Sequence, residues 1–146
     1  QKNKTLSKIQ IIEISILFLV INYLNIATKK LEELSAIVFE TKDYEDLKNI
    51  IIKYISEGKD KLEISAQIEE RYQNSIDVIN KNSNMQLITK NKSEQDIIDM
   101  LDDLIQNYKE ENSLKKIEIL EQKLINNLDE NSYTELIKLK SQLNRG

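Results

Sequence analysis

The 146-residue chain contains no cysteine, histidine, tryptophan or proline, and only two glycines. Without cysteine and histidine it cannot form a disulfide or a zinc finger, and it cannot supply a thiol nucleophile or an imidazole base. The lack of proline and near-lack of glycine removes the residues that most often interrupt helices. These absences favour an all-α protein with long helices and disfavour an enzyme.

The charge balance narrows the range of partners. Acidic residues outnumber basic ones by 25 to 21, which gives a net charge of −4, and 32% of the residues are charged. Strong direct binding of nucleic acid requires a concentrated basic face, so this balance argues against it. We therefore expect a soluble domain with protein partners. The chain starts at Gln1 rather than Met, so we expect a piece of a longer protein.

The most apolar segment is "IIEISILFLVINYL", residues 11 to 24. It is interrupted by Glu13, Ser15 and Asn22, and it is shorter than the roughly 20 apolar residues that span a bilayer. Apolar side chains fall on nearly every side of a helix with this sequence. The segment therefore predicts a central helix surrounded by others, with no membrane partner.

Shorter amphipathic helices are predicted to follow. The segment "TKKLEELSAIVF" predicts a helix with a stripe of Leu31, Leu34, Ile37 and Val38, and "DYEDLKNIIIKYI" predicts another with 3, 4 apolar spacing. Gly58 is expected to end the second of these helices. Asp60 and Glu63 have the spacing of a capping box that starts the next one. A less regular stretch carries Ile76, Ile79, Leu87 and Ile88.

A long helix is predicted from Ser93, with Asp96 as its capping partner, to about Asn127. Some 34 residues at 1.5 Å each give roughly 50 Å, against a diameter of about 30 Å for a body of this size, so we expect it to extend beyond the body. The apolar stripe changes sides at "KEENS", residues 109–113. Beyond it, the predicted stripe consists of Leu114, Ile117, Leu120, Leu124, Ile125 and Leu128. This predicts a helical bundle in residues 1–110, a long connecting helix, and an antiparallel hairpin in residues 111–146.

The predicted hairpin has its own small core. Ser132 and Glu135 have capping-box spacing at the start of its last helix, and "LDEN" is a short turn that favours antiparallel pairing. So small a hairpin is marginally stable, because burial of each side chain is offset by the cost of ordering the backbone. Its stripes are predicted to pack through Ile117, Leu120, Leu124, Leu128, Leu136, Leu139 and Leu143.

No constellation of polar residues predicts a catalytic or metal site. The acidic cluster of Asp99, Asp102 and Asp103 is interpreted as the solvated face of the long helix rather than as a cation site. Three apolar hairpin residues, Tyr133, Ile119 and Ile137, fall outside its inner face. Single exposed apolar residues are normal, but several on one small element also suit an interaction surface, and both interpretations stay open.

The order of elements resembles a known family. "LVINYLNIATKKLEELSAIVFETKDYEDLKNIIIKYI" and "MLDDLIQNYKEENSLKKIEILEQKLINNLDENSYTELIKLKSQLNRG" together cover a little over half of the chain. In apolar pattern and helix order they are similar to the C-terminal helicase-interaction domain of bacterial DnaG-type primases. The resemblance implies a bundle that modulates the replicative helicase and a hairpin that docks on that helicase's N-terminal domain.

The same resemblance implies specific residues and partners. The helicase contact would involve Ile119, Tyr133, Ile137 and Lys140. The acidic tail of single-stranded-DNA-binding protein would meet the start of the first helix at Lys8, Ile11, Ile12 and Ile16. In this family zinc and magnesium belong to upstream domains, so this part of the chain would need no cofactor and would act without catalysis at the replisome in the cytoplasm.

Two other interpretations remain at this point. The bundle could be the N-terminal collar domain of the replicative helicase, which the primase bundle resembles. It could also be a generic helical scaffold or coiled-coil adaptor that associates with itself through the long helix.

Overall fold

The computed structural model describes residues 5–82, 84–126 and 130–145. Within these ranges the chain forms eight α-helices and no strand, which confirms the predicted all-α class. The helices are α1 Lys8–Asn22, α2 Leu24–Lys29, α3 Leu31–Ala36, α4 Lys42–Ser56, α5 Lys61–Asn82, α6 Met85–Ile88, α7 Glu94–Asn126 and α8 Glu130–Arg145.

The chain divides into two compact units, with the boundary between Ile105 and Gln106. Unit 1 contains α1 to α6 and the start of α7. Unit 2 contains the rest of α7 and all of α8. The boundary lies five residues before the one predicted from the change of apolar face, which separated residues 1–110 from 111–146.

Helix α1 lies at the centre of unit 1. It contacts α2, α4, α5 and α6, and it is buried along most of its length. Burial on all sides explains why its sequence has no polar face, and it confirms the central helix predicted from that sequence. Its fully or almost fully buried apolar side chains include Ile14, Ile16, Leu17, Leu19 and Val20.

Capping boxes start two helices where the sequence predicted them. Before α7, the Asp96 N–H donates to Ser93 Oγ (3.1 Å) and the Ser93 N–H donates to Asp96 Oδ2 (3.4 Å). Asp60 and Glu63 make the equivalent pair before α5, at 2.9 and 3.4 Å. These bonds satisfy backbone N–H groups that have no partner within the helix.

Gly58 ends α4, as expected. Its φ of 79° lies in the left-handed region. The Gly58 N–H donates to the Ile55 carbonyl (3.0 Å) and the Lys59 N–H to the Tyr54 carbonyl (3.1 Å), the two bonds of a Schellman motif.

Two predictions about the segment after α1 are wrong. Residues 28–39 do not form one helix, because the chain breaks at Lys30 and α3 ends at Ala36. Val38, predicted on the buried stripe, is exposed. The physical reason is that Ile37 adopts an extended backbone and buried charged groups bind the main chain beyond it.

In the less regular stretch further along the chain, Ile76 and Ile79 are buried, whereas Leu87 and Ile88 are exposed on the four-residue α6. The predicted cap of the last helix is wrong. Helix α8 begins at Glu130, so Ser132 lies inside the helix instead of capping it.

A buried carboxylate binds the main chain after α3. Glu13 on α1 has 0% exposure, and its Oε2 accepts a hydrogen bond from the Glu40 N–H at 2.6 Å. Glu45 on α4 accepts one from the neighbouring Phe39 N–H at 2.9 Å. A carboxylate in the apolar core is stable only where such hydrogen bonds replace its water.

A buried lysine binds the same segment from α4. Lys48, 1% exposed, donates to the carbonyls of Leu34 (2.9 Å) and Ile37, and it lies 3.1 Å from Glu45 Oε1. The carbonyls at the end of α3 carry partial negative charge, so the ammonium both pairs with them and caps the helix. We call Glu13, Glu45 and Lys48 the main-chain clamp.

Candidate protein-interaction surface

Unit 2 has a small apolar core between α7 and α8. Ile117, Leu120 and Leu136 are buried, and Leu124, Leu139 and Leu143 pack against them partly buried. Six of the seven predicted core residues therefore lie in one cluster, while Leu128 lies outside the described residues. Three buried side chains are a small core for two helices, since each contributes only about 1.5–3 kcal/mol.

An exposed ion pair marks one side of this hairpin. Lys140 Nζ on α8 lies 3.4 Å from Glu121 Oε2 on α7, with both side chains about half exposed. Such a surface pair contributes little to stability. The pair does show which sides of α7 and α8 face the same way, because Glu121 and Lys140 can meet only if both lie on one side of the hairpin.

Four apolar residues that are at least half exposed lie on the same side of the hairpin as the Glu121–Lys140 pair. Leu114 and Ile125 lie about 100° around α7 from its inner stripe, and Tyr133 and Ile137 lie about 90–130° around α8 from its own, in the same rotational sense. When two helices pack antiparallel, residues that are offset from the two inner stripes by similar angles in the same sense lie on the same side of the pair. We call this set the hairpin flank, with exposures of 50% for Leu114, 76% for Ile125, 54% for Tyr133 and 50% for Ile137.

Ile119 belongs to a different surface. It lies about 130° around α7 from Leu114 and Ile125 and is half exposed. It lines a shallow depression on the outer face of α7 with Lys115, Glu118, Gln122, Lys123 and Asn126. The structure therefore brings three of the four predicted helicase-contact residues, Tyr133, Ile137 and Lys140, to one side of the hairpin and places Ile119 on another.

Two residues of the hairpin flank differ from their prediction. The sequence predicts Leu114 and Ile125 on the apolar stripe of the long helix, but they lie at its edge and are exposed. Their helical angles could have indicated this exposure, because both residues lie on the same edge of the stripe, away from its centre. A narrower stripe centred on Ile117, Leu120 and Leu124 would have left them outside.

The predicted contact for an acidic tail lies on α1. Ile12 and Ile16 are buried within unit 1, and Ile11 is about half exposed. Lys8 is the first residue of the helix, between the capping-box residues Ser7 and Gln10, and its side chain is exposed. In this conformation Lys8 and Ile11 therefore present side chains to a partner, while Ile12 and Ile16 do not.

The acidic cluster of α7 makes ordinary surface contacts. Asp102 lies 2.9 Å from Lys30 Nζ, and this hydrogen-bonded pair raises the pKa of Lys30. Asp99 accepts a hydrogen bond from Gln95 at 2.9 Å. Throughout the part of the chain that the structure describes, no group of three or more carboxylates is arranged to hold a metal ion.

The helices of residues 5–82, 84–126 and 130–145 include none with both the length and the hydropathy needed to cross a membrane. No protein-family model matches the chain, and no curated protein or solved structure matches it significantly.

Proposed function

We propose that this chain is the helicase-interaction domain of a bacterial DnaG-type primase, and that its hairpin docks on the N-terminal domain of the DnaB-type replicative helicase. Unit 1 would modulate the helicase, and unit 2 would hold the primase at the replication fork in the cytoplasm. The domain itself would be non-catalytic, and the upstream parts of such a primase would carry the zinc and magnesium.

The observation that carries the proposal is the placement of apolar side chains on unit 2. Three apolar residues are buried inside the hairpin, while Leu114, Ile125, Tyr133 and Ile137 are at least half exposed along one side of it. Scattered exposed apolar residues are normal on a protein surface. Four on one side of a two-helix element suit a protein contact, in which aromatic and large aliphatic side chains act as anchors.

The small core of the hairpin also supports a reversible contact. Its buried apolar area is limited, so part of the free energy of association would be spent on ordering the hairpin. A contact of this kind dissociates readily, which suits an enzyme that must return to the helicase for each primer. Lys140 would remain paired with Glu121 at the edge of the contact.

The direct test is binding of the full chain to the replicative helicase of the same organism, measured by isothermal titration calorimetry. The double variant Tyr133→Ala/Ile137→Ala is expected to weaken binding at least ten-fold, because it truncates two anchors of the hairpin flank. Leu62→Ala/Leu87→Ala is the control, since it truncates two apolar side chains of unit 1 that are even more exposed than Tyr133 and Ile137. It should change the affinity less than two-fold.

Ile119→Ala distinguishes the two surfaces of the hairpin. If docking uses the hairpin flank alone, this variant keeps the affinity of the unmodified chain. Unchanged binding by Tyr133→Ala/Ile137→Ala would refute docking by the flank, and the absence of any binding by the unmodified chain would refute the helicase as partner.

A further inference from the structure

Two neighbouring clefts on unit 1 combine positive charge with a lack of carboxylates. The first lies between the start of α2 and the α4–α5 junction and is lined in part by Lys59 and Lys61. The second lies beside the α1–α2 junction and is lined in part by Lys90 and Lys92. Asn22, the last residue of α1, lines both, and no Asp or Glu among the described residues lines either one. We call the pair of clefts the basic groove.

The lysines of the basic groove are available to a ligand. Lys61, Lys90 and Lys92 form no side-chain hydrogen bond or ion pair with any residue that the structure describes, and Lys59 lies 5.4 Å from the centroid of the Tyr54 ring. By contrast, lysines such as Lys29 and Lys30 form ion pairs with carboxylates. The groove therefore retains a local positive charge in a chain whose net charge is −4.

Glu57, Asp60 and Glu63 lie near the groove in sequence, but none of the three lines either cleft. Asp60 and Glu63 accept hydrogen bonds from each other's backbone N–H groups in the capping box of α5. The N-terminus of α5, which starts at Lys61, adds the partial positive charge of unpaired helix N–H groups. These features favour an anion along this side of unit 1.

The second cleft also offers groups that recognise a planar, hydrogen-bonding partner. The half-buried Tyr23 lines it beside the exposed Leu87. The side-chain amides of Asn80, Gln86 and Asn91 line it too and form no hydrogen bond with a described residue. An aromatic face for stacking and amides for base edges, next to cations for phosphates, are the components of single-strand recognition.

We propose that the basic groove binds a single-stranded nucleic acid, with phosphates along Lys59, Lys61, Lys90 and Lys92 and one base stacked on Tyr23. A duplex keeps its bases stacked inside and presents none to Tyr23. A free nucleotide shares the chemistry of one residue of the strand, but it would fill only the second cleft. The net charge of the chain does not indicate this groove, because it sums the charges of all residues and cannot show where the basic ones cluster. This proposal does not depend on the helicase contact.

Fluorescence anisotropy of a labelled 12-residue oligothymidylate with the full chain tests the proposal. Binding should weaken with salt, with a slope of log K against log salt of about −0.7 per neutralised phosphate and so about −3 for four. Lys90→Glu/Lys92→Glu should bind at least ten-fold more weakly. Lys53→Glu/Lys138→Glu makes the same change in net charge at two lysines that do not line the groove, and it should bind within two-fold of the unmodified chain.

Tyr23 supplies the readout for stacking. Tyr23→Leu should weaken binding about five-fold or more, whereas Tyr23→Phe keeps the ring and should keep the affinity. Circular dichroism of each variant checks that it remains helical. Competition by the mononucleotide should require far higher concentration than competition by the unlabelled strand.

Several results would overturn the proposal. Equal binding of a blunt duplex would show a general polyanion surface, and equal competition by the mononucleotide would show a nucleotide site instead of a strand site. An equal loss of affinity in Lys53→Glu/Lys138→Glu would show that net charge alone matters. No binding by the unmodified chain at low salt would exclude the groove as a site altogether.

Discussion

The backbone N–H of Glu40 donates a 2.6 Å hydrogen bond to Oε2 of Glu13, a side chain with no exposure to solvent. The two residues are 27 positions apart in the sequence. A carboxylate from the most apolar helix of the chain therefore holds the segment that joins α3 to α4.

Truncation of Glu13 should destabilise unit 1. Hydrogen bonds to charged groups contribute about 1.5–3 kcal/mol, so Glu13→Ala is expected to lower the free energy of unfolding by about 2–3 kcal/mol in urea denaturation. Glu13→Gln keeps the volume and one acceptor oxygen and should cost less than Ala. Wild-type stability of the Ala variant would contradict the role assigned to this hydrogen bond.

Removal of the clamp's cation should have a comparable effect. Lys48→Met keeps most of the length of the side chain but leaves the Leu34 and Ile37 carbonyls without their donor, which is expected to cost about 3 kcal/mol. Lys42→Met is the matched control on the same helix, because Lys42 pairs with Asp46 at the surface. Its unfolding midpoint should stay close to that of the unmodified chain, and an equal loss in both variants would contradict the prediction.

The hairpin should unfold separately when its core is truncated. Leu136→Ala removes one of three buried side chains, and substitutions of this type cost about 2–5 kcal/mol. We expect loss of hydrogen-exchange protection in residues 117–126 and 130–144, with protection retained in α1 and α4. Leu114→Ala, at an exposed position of the same unit, should leave exchange unchanged. Loss of protection in α1 as well would show that the units fold as one.

Gly58 should be sensitive to any added Cβ for conformational reasons alone. A Cβ at this position would meet nothing within 4 Å, but its φ of 79° is unfavourable for L residues. Gly58→Ala is therefore expected to lower the free energy of unfolding by about 1 kcal/mol. Gly58→Asn should cost less, since Asn adopts this conformation more readily. Thermal denaturation of both variants measures the difference.

Stability should decline at alkaline pH partly because of Tyr44. Burial raises the pKa of Tyr44 above 10, and the charges of Glu13 and Asp43 raise it further. The unfolded chain therefore ionises first, so the contribution of Tyr44 is complete below about pH 10 and is lost as pH rises through the folded pKa. Tyr44→Phe should show a shallower decline above pH 10 in urea denaturation, and the same slope in both proteins would contradict this.

The local signals of the sequence were sufficient for the helix class, the central helix and the capping boxes of α5 and α7. These features depend on composition, on apolar periodicity and on residues three positions apart. The sequence also indicated most of the hairpin core, because Ile117, Leu120, Leu136 and their neighbours repeat at helical spacing. What depends on contacts between distant segments was missed.

The main-chain clamp shows why. Glu13 lies in an apolar helix and Lys48 on the buried side of α4, and neither position reveals which main-chain groups the side chain will meet. A charged residue on a face that must be buried is itself a signal that a partner exists, but the partner is specified only by tertiary packing. The break after Ala36 follows from those same contacts, so propensity alone extended α3 too far.

The basic groove was missed for a related reason. Its four lysines come from two segments, residues 59–61 and 90–92, that are about 30 positions apart, and net charge cannot show that folding places them on either side of Asn22. The exposure of Leu114 and Ile125 also depends on tertiary packing, because only the narrow stripe of Ile117, Leu120 and Leu124 on α7 packs against α8.

The main-chain clamp has a consequence for sequence variation. Its carboxylates recognise amide N–H groups, which every residue except proline carries, so they specify the path of the chain at residues 39 and 40 without specifying the side chain at exposed positions such as Glu40. Related proteins with the same clamp can therefore vary at the exposed positions 38 and 40 and still follow one backbone path, provided that proline is excluded from positions 39 and 40, while packing constrains the buried Ile37 and Phe39.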